Sequence, residues 1–240
     1  MSLLITSLVG LFTLIGSVIV ILTNNSKKVV DFSISIGFGV LSTLILIELL
    51  PESIELINTK YELLPSILIL ALLIILGILA LKLLDKFIPD HDHHNKNNLI
   101  HIGLITSLAL FIHNYLEGMA IYASINNSIK FGSLLGLGVA LHNIPLGMSI
   151  SSFFYSKGKV KTILLSLVVS LSTFLGGLTL VLFKDFIIND FVRGIILSIT
   201  LGMLLYIVIF ELLDHILENK KNSIVGIISG ILILLVSTLF

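Results

Sequence analysis

Cysteine and tryptophan are absent from this 240-residue chain, and charge is scarce, at 12% of residues. Without cysteine the chain has no disulfide, no thiolate nucleophile and no thiolate metal site. Without tryptophan, any aromatic belt at a membrane interface falls to Phe and Tyr. The 14 Lys and Arg balance 14 Asp and Glu, so no basic excess exists to hold a nucleic acid. A soluble domain carries about 25% charged residues, roughly twice what is found here. What the chain has in abundance is apolar sequence: 56% hydrophobic residues and a mean hydropathy of +1.14. The few charges cluster in short stretches, which leaves the apolar residues in runs of bilayer length.

A helix needs about 20 residues to cross the hydrocarbon core. Eight segments qualify, over residues 3–23, 31–50, 63–84, 99–124, 131–155, 162–183, 192–215 and 223–240. The runs are continuous and show no period-2 alternation, which favours helices over a barrel. The run from Met1 to Ser26 lacks a basic leader and is too long for a signal peptide, so it reads as a retained first span. The connectors are short, and the positive-inside rule applies to them. One side holds Lys27, Lys28, Lys82, Lys86, Lys96, Lys157, Lys159, Lys161, Lys220 and Lys221; the other holds Lys60, Lys130, Lys184 and Arg193. The first set is therefore cytoplasmic and both termini are extracytoplasmic. The expectation is one transmembrane domain over residues 1–240, an all-α multi-pass protein of a prokaryotic inner or plasma membrane, with lipid as its surroundings.

A short internal match ties the second span to the seventh. Gly39 precedes Glu48-Leu49-Leu50 by nine residues, and Gly202 precedes Glu211-Leu212-Leu213 by the same interval. Spans 1–3 and 6–8 run in opposite directions, as in inverted-repeat transporters, whose substrate sites lie near the midplane between the halves.

Ionisable side chains inside a membrane are costly and mark functional candidates. Here they concentrate in two hexads, His113-Asn114-Tyr115-Leu116-Glu117-Gly118 in span 4 and His142-Asn143-Ile144-Pro145-Leu146-Gly147 in span 5. His113 and Glu117 are one helical turn apart on one face, a spacing that lets imidazole and carboxylate grip one cation. His142 can approach from span 5. Two His and one Glu suit zinc-like metals, with a fourth position open to water. Asn114 and Asn143 add neutral oxygen donors. Pro145 frees the carbonyl of Leu141 and is expected to bend span 5. Gly118 and Gly147 are expected to let spans 4 and 5 approach each other closely. The competing reading is structural: polar side chains also link helices by hydrogen bonds of modest energy.

Glu48 and Glu211, near the ends of spans 2 and 7, are candidates with His215 for acidic rims at the two mouths of a path; simple interfacial solvation is the alternative. The connector from Asp85 to Asn98 carries His91, His93 and His94 among Asp90 and Asp92, a composition that binds divalent metal loosely or merely stays solvated.

The paired hexads, together with Glu48-Leu49-Leu50-Pro51-Glu52 and with Tyr206 and Glu211-Leu212 in span 7, resemble the ZIP family of divalent-metal transporters, most of all its GufA-like prokaryotic branch. The resemblance implies an eight-helix, 3+2+3 inverted-repeat bundle that moves zinc, or iron, manganese or cadmium, toward the cytoplasm. It implies a primary metal site of His113, Glu117 and His142, with Asn114 and Asn143 at a neighbouring position. Zinc is then a transported substrate, no permanent cofactor is needed, the chain is not an enzyme, and a homodimer is compatible with it. Three positions depart from the family pattern. Leu146 stands where a bridging carboxylate is usual, Thr173-Phe174-Leu175-Gly176 where Glu-Pro-Leu-Gly is usual, and Leu116 where proline is usual. These leave one carboxylate and disfavour a binuclear centre. Two other readings stand beside the transporter: a non-transporting metal sensor, and an intramembrane zinc hydrolase, for which a general base beside the metal is missing.

Overall fold

The computed structural model describes residues 1–24, 26–86, 99–183, 190–218 and 220–239. The helices are α1 (Ser2–Leu22), α2 (Lys27–Leu44), α3 (Leu50–Asn58), α4 (Leu63–Asp85), α5 (Leu99–Asn127), α6 (Ile129–Phe154), α7 (Lys159–Leu182), α8 (Asp190–Tyr206), α9 (Leu213–Glu218) and α10 (Lys220–Ser237). Two π-helical segments, Ile45–Leu49 and Ile207–Leu212, join α2 to α3 and α8 to α9 without interrupting the rod. No strand occurs among the described residues. Seven of these rods are long and apolar enough to cross a membrane, and the apolar stretch Ser223–Ser237 of α10 is a shorter eighth. The chain is an all-α membrane protein.

Burial differs among the spans. In the α2–α3 rod and in α6, 67% of the apolar window is buried, against 17% in α4. The α8–α9 rod is also largely buried, whereas α1 and α7 present more of their surface outward. Lipid faces need only be apolar, which is why Leu64, Leu68, Leu72 and Leu79 of α4 are exposed.

The helix contacts repeat across the molecule. α1 packs on α6 as α7 packs on α5, and α2 packs on α10 as α8 packs on α4. Glycines make these approaches close. Gly39 lies against the carbonyl of Ile227 in α10, and its counterpart Gly202 against the carbonyl of Ile74 in α4. Gly16 meets the backbone at Ile144 while Gly176 meets it at Tyr115. Where α1 crosses α7, the Ser170 hydroxyl donates to the Gly10 carbonyl at 2.7 Å. The Gly–Glu match between spans 2 and 7 is thus the visible trace of a repeat that organises the whole bundle.

The connectors sort to two ends. At one, Ser2 donates to Asn126 Oδ1 at 2.8 Å, and Lys60 lies 4.5 Å over the Phe191 ring. At the other, the Tyr155 hydroxyl donates to Asn24 Oδ1 at 3.4 Å. This is the grouping expected from eight alternating crossings.

Two details differ from the sequence-based expectation. The second span does not stop before Pro51 but continues to Asn58. Pro51 follows the π segment inside this continuous rod, and its missing N–H leaves one carbonyl of the preceding turn without a helical bond. Gly118 and Gly147 do not bring α5 and α6 together; Gly118 packs on the backbone of Thr173 in α7, and Gly147 on that of Thr13 in α1. A residue without Cβ serves whichever neighbour comes closest, and in both cases that neighbour is an outer helix.

Candidate metal centre

α5 and α6 lie side by side in the interior, and their hexads meet. His113 Nε2 is 3.0 Å from Glu117 Oε1 along one face of α5. His142 Nε2 reaches the same oxygen from α6 at 2.9 Å. The two imidazole rings are 6.5 Å apart, centroid to centroid, and inclined by 30°. One donor atom from each of His113, Glu117 and His142 lies within 4.8 Å of the others, a spacing suited to a single cation. Among the described residues no other trio of His, Asp or Glu is so arranged. α6 remains helical through Pro145, which keeps His142 and Leu146 on the same stretch of helix.

The centre is poor in internal partners. His113 and His142 are buried, and Nδ1 of each, together with Glu117 Oε2, has no hydrogen-bond partner. Asn114 and Asn143 are also buried, with Asn114 Oδ1 and both polar atoms of the Asn143 amide unpartnered. Buried polar atoms are normally paired, so these donors and acceptors suit a polar or charged guest. Thr173 Oγ1 is unpartnered as well. Leu146 is 2% exposed and sits in the apolar core with Leu44 and Ile150.

A cavity of about 990 Å³ leads to the trio, lined by Glu48, Glu52, His113, Glu117, Asp190 and Arg193 among others. Glu48 is half-buried within it, deeper than the rim position its sequence location suggested. A smaller cavity of about 210 Å³ joins Glu48 to His142. Glu52 marks the outer part of the large cavity, 3.5 Å from Arg193 Nη2, and both side chains are substantially exposed.

The opposite end looks different. His215 is buried, with Nε2 at 3.2 Å from Asp31 Oδ1. It lines neither of the two cavities described above. Glu211 is half-buried in the second π segment. Asp31 had no place among the sequence candidates; its one signal is a carboxylate at the start of an apolar run. His91, His93 and His94 lie outside the described residues.

Helical spans, an intramembrane His–Glu–His trio and a cavity leading to it define a membrane protein built around a cation-sized polar centre. Comparison with known sequences narrows this. The sequence model of the ZIP Zinc transporter family matches residues 89–238. The zinc transporter ZupT of Streptococcus mutans is 33% identical over 252 residues, covering 98% of this chain and 95% of that protein. The ZupT proteins of Chlorobium luteolum and Clostridium perfringens are each 31% identical, covering 99% and 100% of this chain and 97% and 95% of their own. The chain belongs to the ZIP zinc transporter family, a family of transporters and not of enzymes. It is a multi-pass protein of the cell membrane.

Proposed function

We propose that the chain is a single transporter domain that carries a divalent metal ion, zinc foremost, toward the cytoplasm through a site made by His113, Glu117 and His142. The convergence of these three donors from adjacent inner helices carries the reading. The relatives' description as zinc transporters supports the substrate, and iron, manganese and cadmium share the chemistry of the donor set. Asn114 and Asn143 supply neutral oxygens beside the trio. With Leu146 apolar and Thr173 neutral, the site holds one ion rather than two.

The excess of Lys and Arg in one set of connectors supports an orientation with the Glu52–Arg193 end outside and the Asp31–His215 end toward the cytoplasm. The open cavity then loads from outside. A divalent ion moving inward gains twice about 2.3 kcal/mol per 100 mV of inside-negative potential, enough to drive accumulation without a nucleotide.

The test is zinc uptake into proteoliposomes. Native chain should take up zinc under an inside-negative potential, and Glu117→Ala should fall to the level of empty vesicles. Equal uptake by the variant would remove the site assignment. Zinc binding by the native chain without any uptake would turn the reading to a sensor.

A further inference from the structure

The trio carries one negative charge against two positive charges on its guest. A divalent cation buried in a low-dielectric interior with one carboxylate is left with unbalanced charge, which is costly there. Leu146 cannot supply the missing carboxylate and Thr173 offers only a hydroxyl, so any compensating anion must come from another element.

Glu48 is the carboxylate that the fold brings to this position. It lines the large cavity together with His113 and Glu117, and the small cavity together with His142. It therefore lies at the junction of the spaces on which all three donors open. It interacts electrostatically with His142, Glu117 and His113. Glu52, one turn on, faces the same cavity but is already paired with Arg193. Glu48 has no hydrogen bond or ion pair among the described residues. In the trio it lies beside, His113 Nδ1, His142 Nδ1 and Glu117 Oε2 are buried without a hydrogen-bond partner.

The local backbone supports the role. Glu48 falls inside the π segment Ile45–Leu49. One wide turn re-registers the helix, so residues after it present a different face from that which α2 sets up. Leu46 and Ile47 look outward at 65% and 47% exposure, whereas Ile45 and Leu49 are buried; Glu48 is turned between them toward the cavity.

We propose that Glu48 is the second carboxylate of the cation site, binding the ion held by His113, Glu117 and His142 directly or through one water, and replacing from span 2 the charge that Leu146 lacks in span 5. This rests on the His113–Glu117–His142 site proposed above. The complete centre is then two imidazoles and two carboxylates from three helices, neutral overall with a divalent ion bound.

The experiment is equilibrium titration of Zn²⁺ against the purified chain in detergent. The panel compares native protein with Glu117→Gln, Glu48→Gln, Glu52→Gln and the double variant Glu48→Gln/Leu146→Glu. Glu48→Gln should weaken zinc roughly 10- to 100-fold, the range seen when a supporting partner of a metal site is lost. Glu52→Gln should leave affinity unchanged, and the double variant should regain it, because the new carboxylate restores the charge. Loss with Glu117→Gln but not with Glu48→Gln would overturn the role of Glu48 and leave the trio standing. No loss in either would remove the trio itself, and this inference with it. Should Glu48→Gln fail to fold, the infrared difference between zinc-loaded and zinc-free native protein decides. Two perturbed carboxylates support the inference, and one alone overturns it.

Discussion

Where α3 passes α8, Glu52 meets Arg193 at 3.5 Å, and both side chains are 42% exposed. At the far end of the same seam, where α2 passes α9, Asp31 meets His215 at 3.2 Å, and the side chains are 6% and 11% exposed. The internal repeat that pairs Glu48 with Glu211 also pairs Glu52 with His215, so one member of each ion pair holds a corresponding place in the two halves. One ion pair borders a cavity that reaches the trio; the other is buried. A symmetric scaffold is thus held in an asymmetric state. In carriers built from inverted repeats, access alternates when the halves trade such roles around a fixed site. On the carrier reading proposed above, the difference between the ends would correspond to one facing of the bundle, and the similarity to its ability to face the other way.

The similarity is tested most severely at the paired glycines. Gly39 and Gly202 each lie against a carbonyl of an outer helix, at Ile227 and Ile74, with no room for a Cβ. Backbone cannot yield as a flexible side chain does, so Gly39→Ala and Gly202→Ala should each cost about 1–3 kcal/mol. The sites are in separate halves, and the double variant should lose roughly the sum. Thermal unfolding in detergent reads this. Equal single losses that add uphold the correspondence of the halves; a large loss at one glycine and none at the other breaks it.

Much of this architecture is written in the sequence, because a bilayer imposes simple rules. Twenty apolar residues make a span, and His113 and Glu117 at one turn's spacing must share a face. The Gly39–Glu48 and Gly202–Glu211 match exposes the repeat because the same glycine contact and the same π turn recur in both halves. What stayed hidden depends on partners distant in sequence. Nothing local to Gly118 says that it meets Thr173 instead of α6. Nothing near Asp31 announces His215. The π segments are hidden as well: Pro51 follows the first, but Asp214 holds the corresponding place after the second, so proline is not required for such a segment. With the register shift unseen, Glu48 read as a residue of the rim rather than of the cavity floor.

The closed end should be the more sensitive of the two ion pairs. Asp31→Ala leaves His215 Nε2 buried without its acceptor, and an orphaned buried group costs about 1–3 kcal/mol. Replacing both partners with apolar residues of similar size should recover most of that loss, because no unmet polar group then remains. Unfolding of the single and double variants measures this. An Asp31→Ala variant as stable as the native chain would show that the buried pair is not what holds the end closed.

The smallest effect belongs to the open end. Glu52 and Arg193 are well exposed, water already solvates both, and Arg193 also lies 3.2 Å from Asp190. Exposed pairs of this kind are worth about 0–1 kcal/mol, so Arg193→Ala should lower the unfolding temperature barely or not at all. What little it does should depend on salt. At 1 M ionic strength charges are screened beyond about 3 Å, so the variant and the native chain should become indistinguishable, whereas the Asp31→Ala loss, buried away from counterions, should persist. A salt-resistant loss at Arg193 as large as that at Asp31 would mean that both ends are latched, and the asymmetry between an open and a closed mouth would have to be placed elsewhere in the bundle.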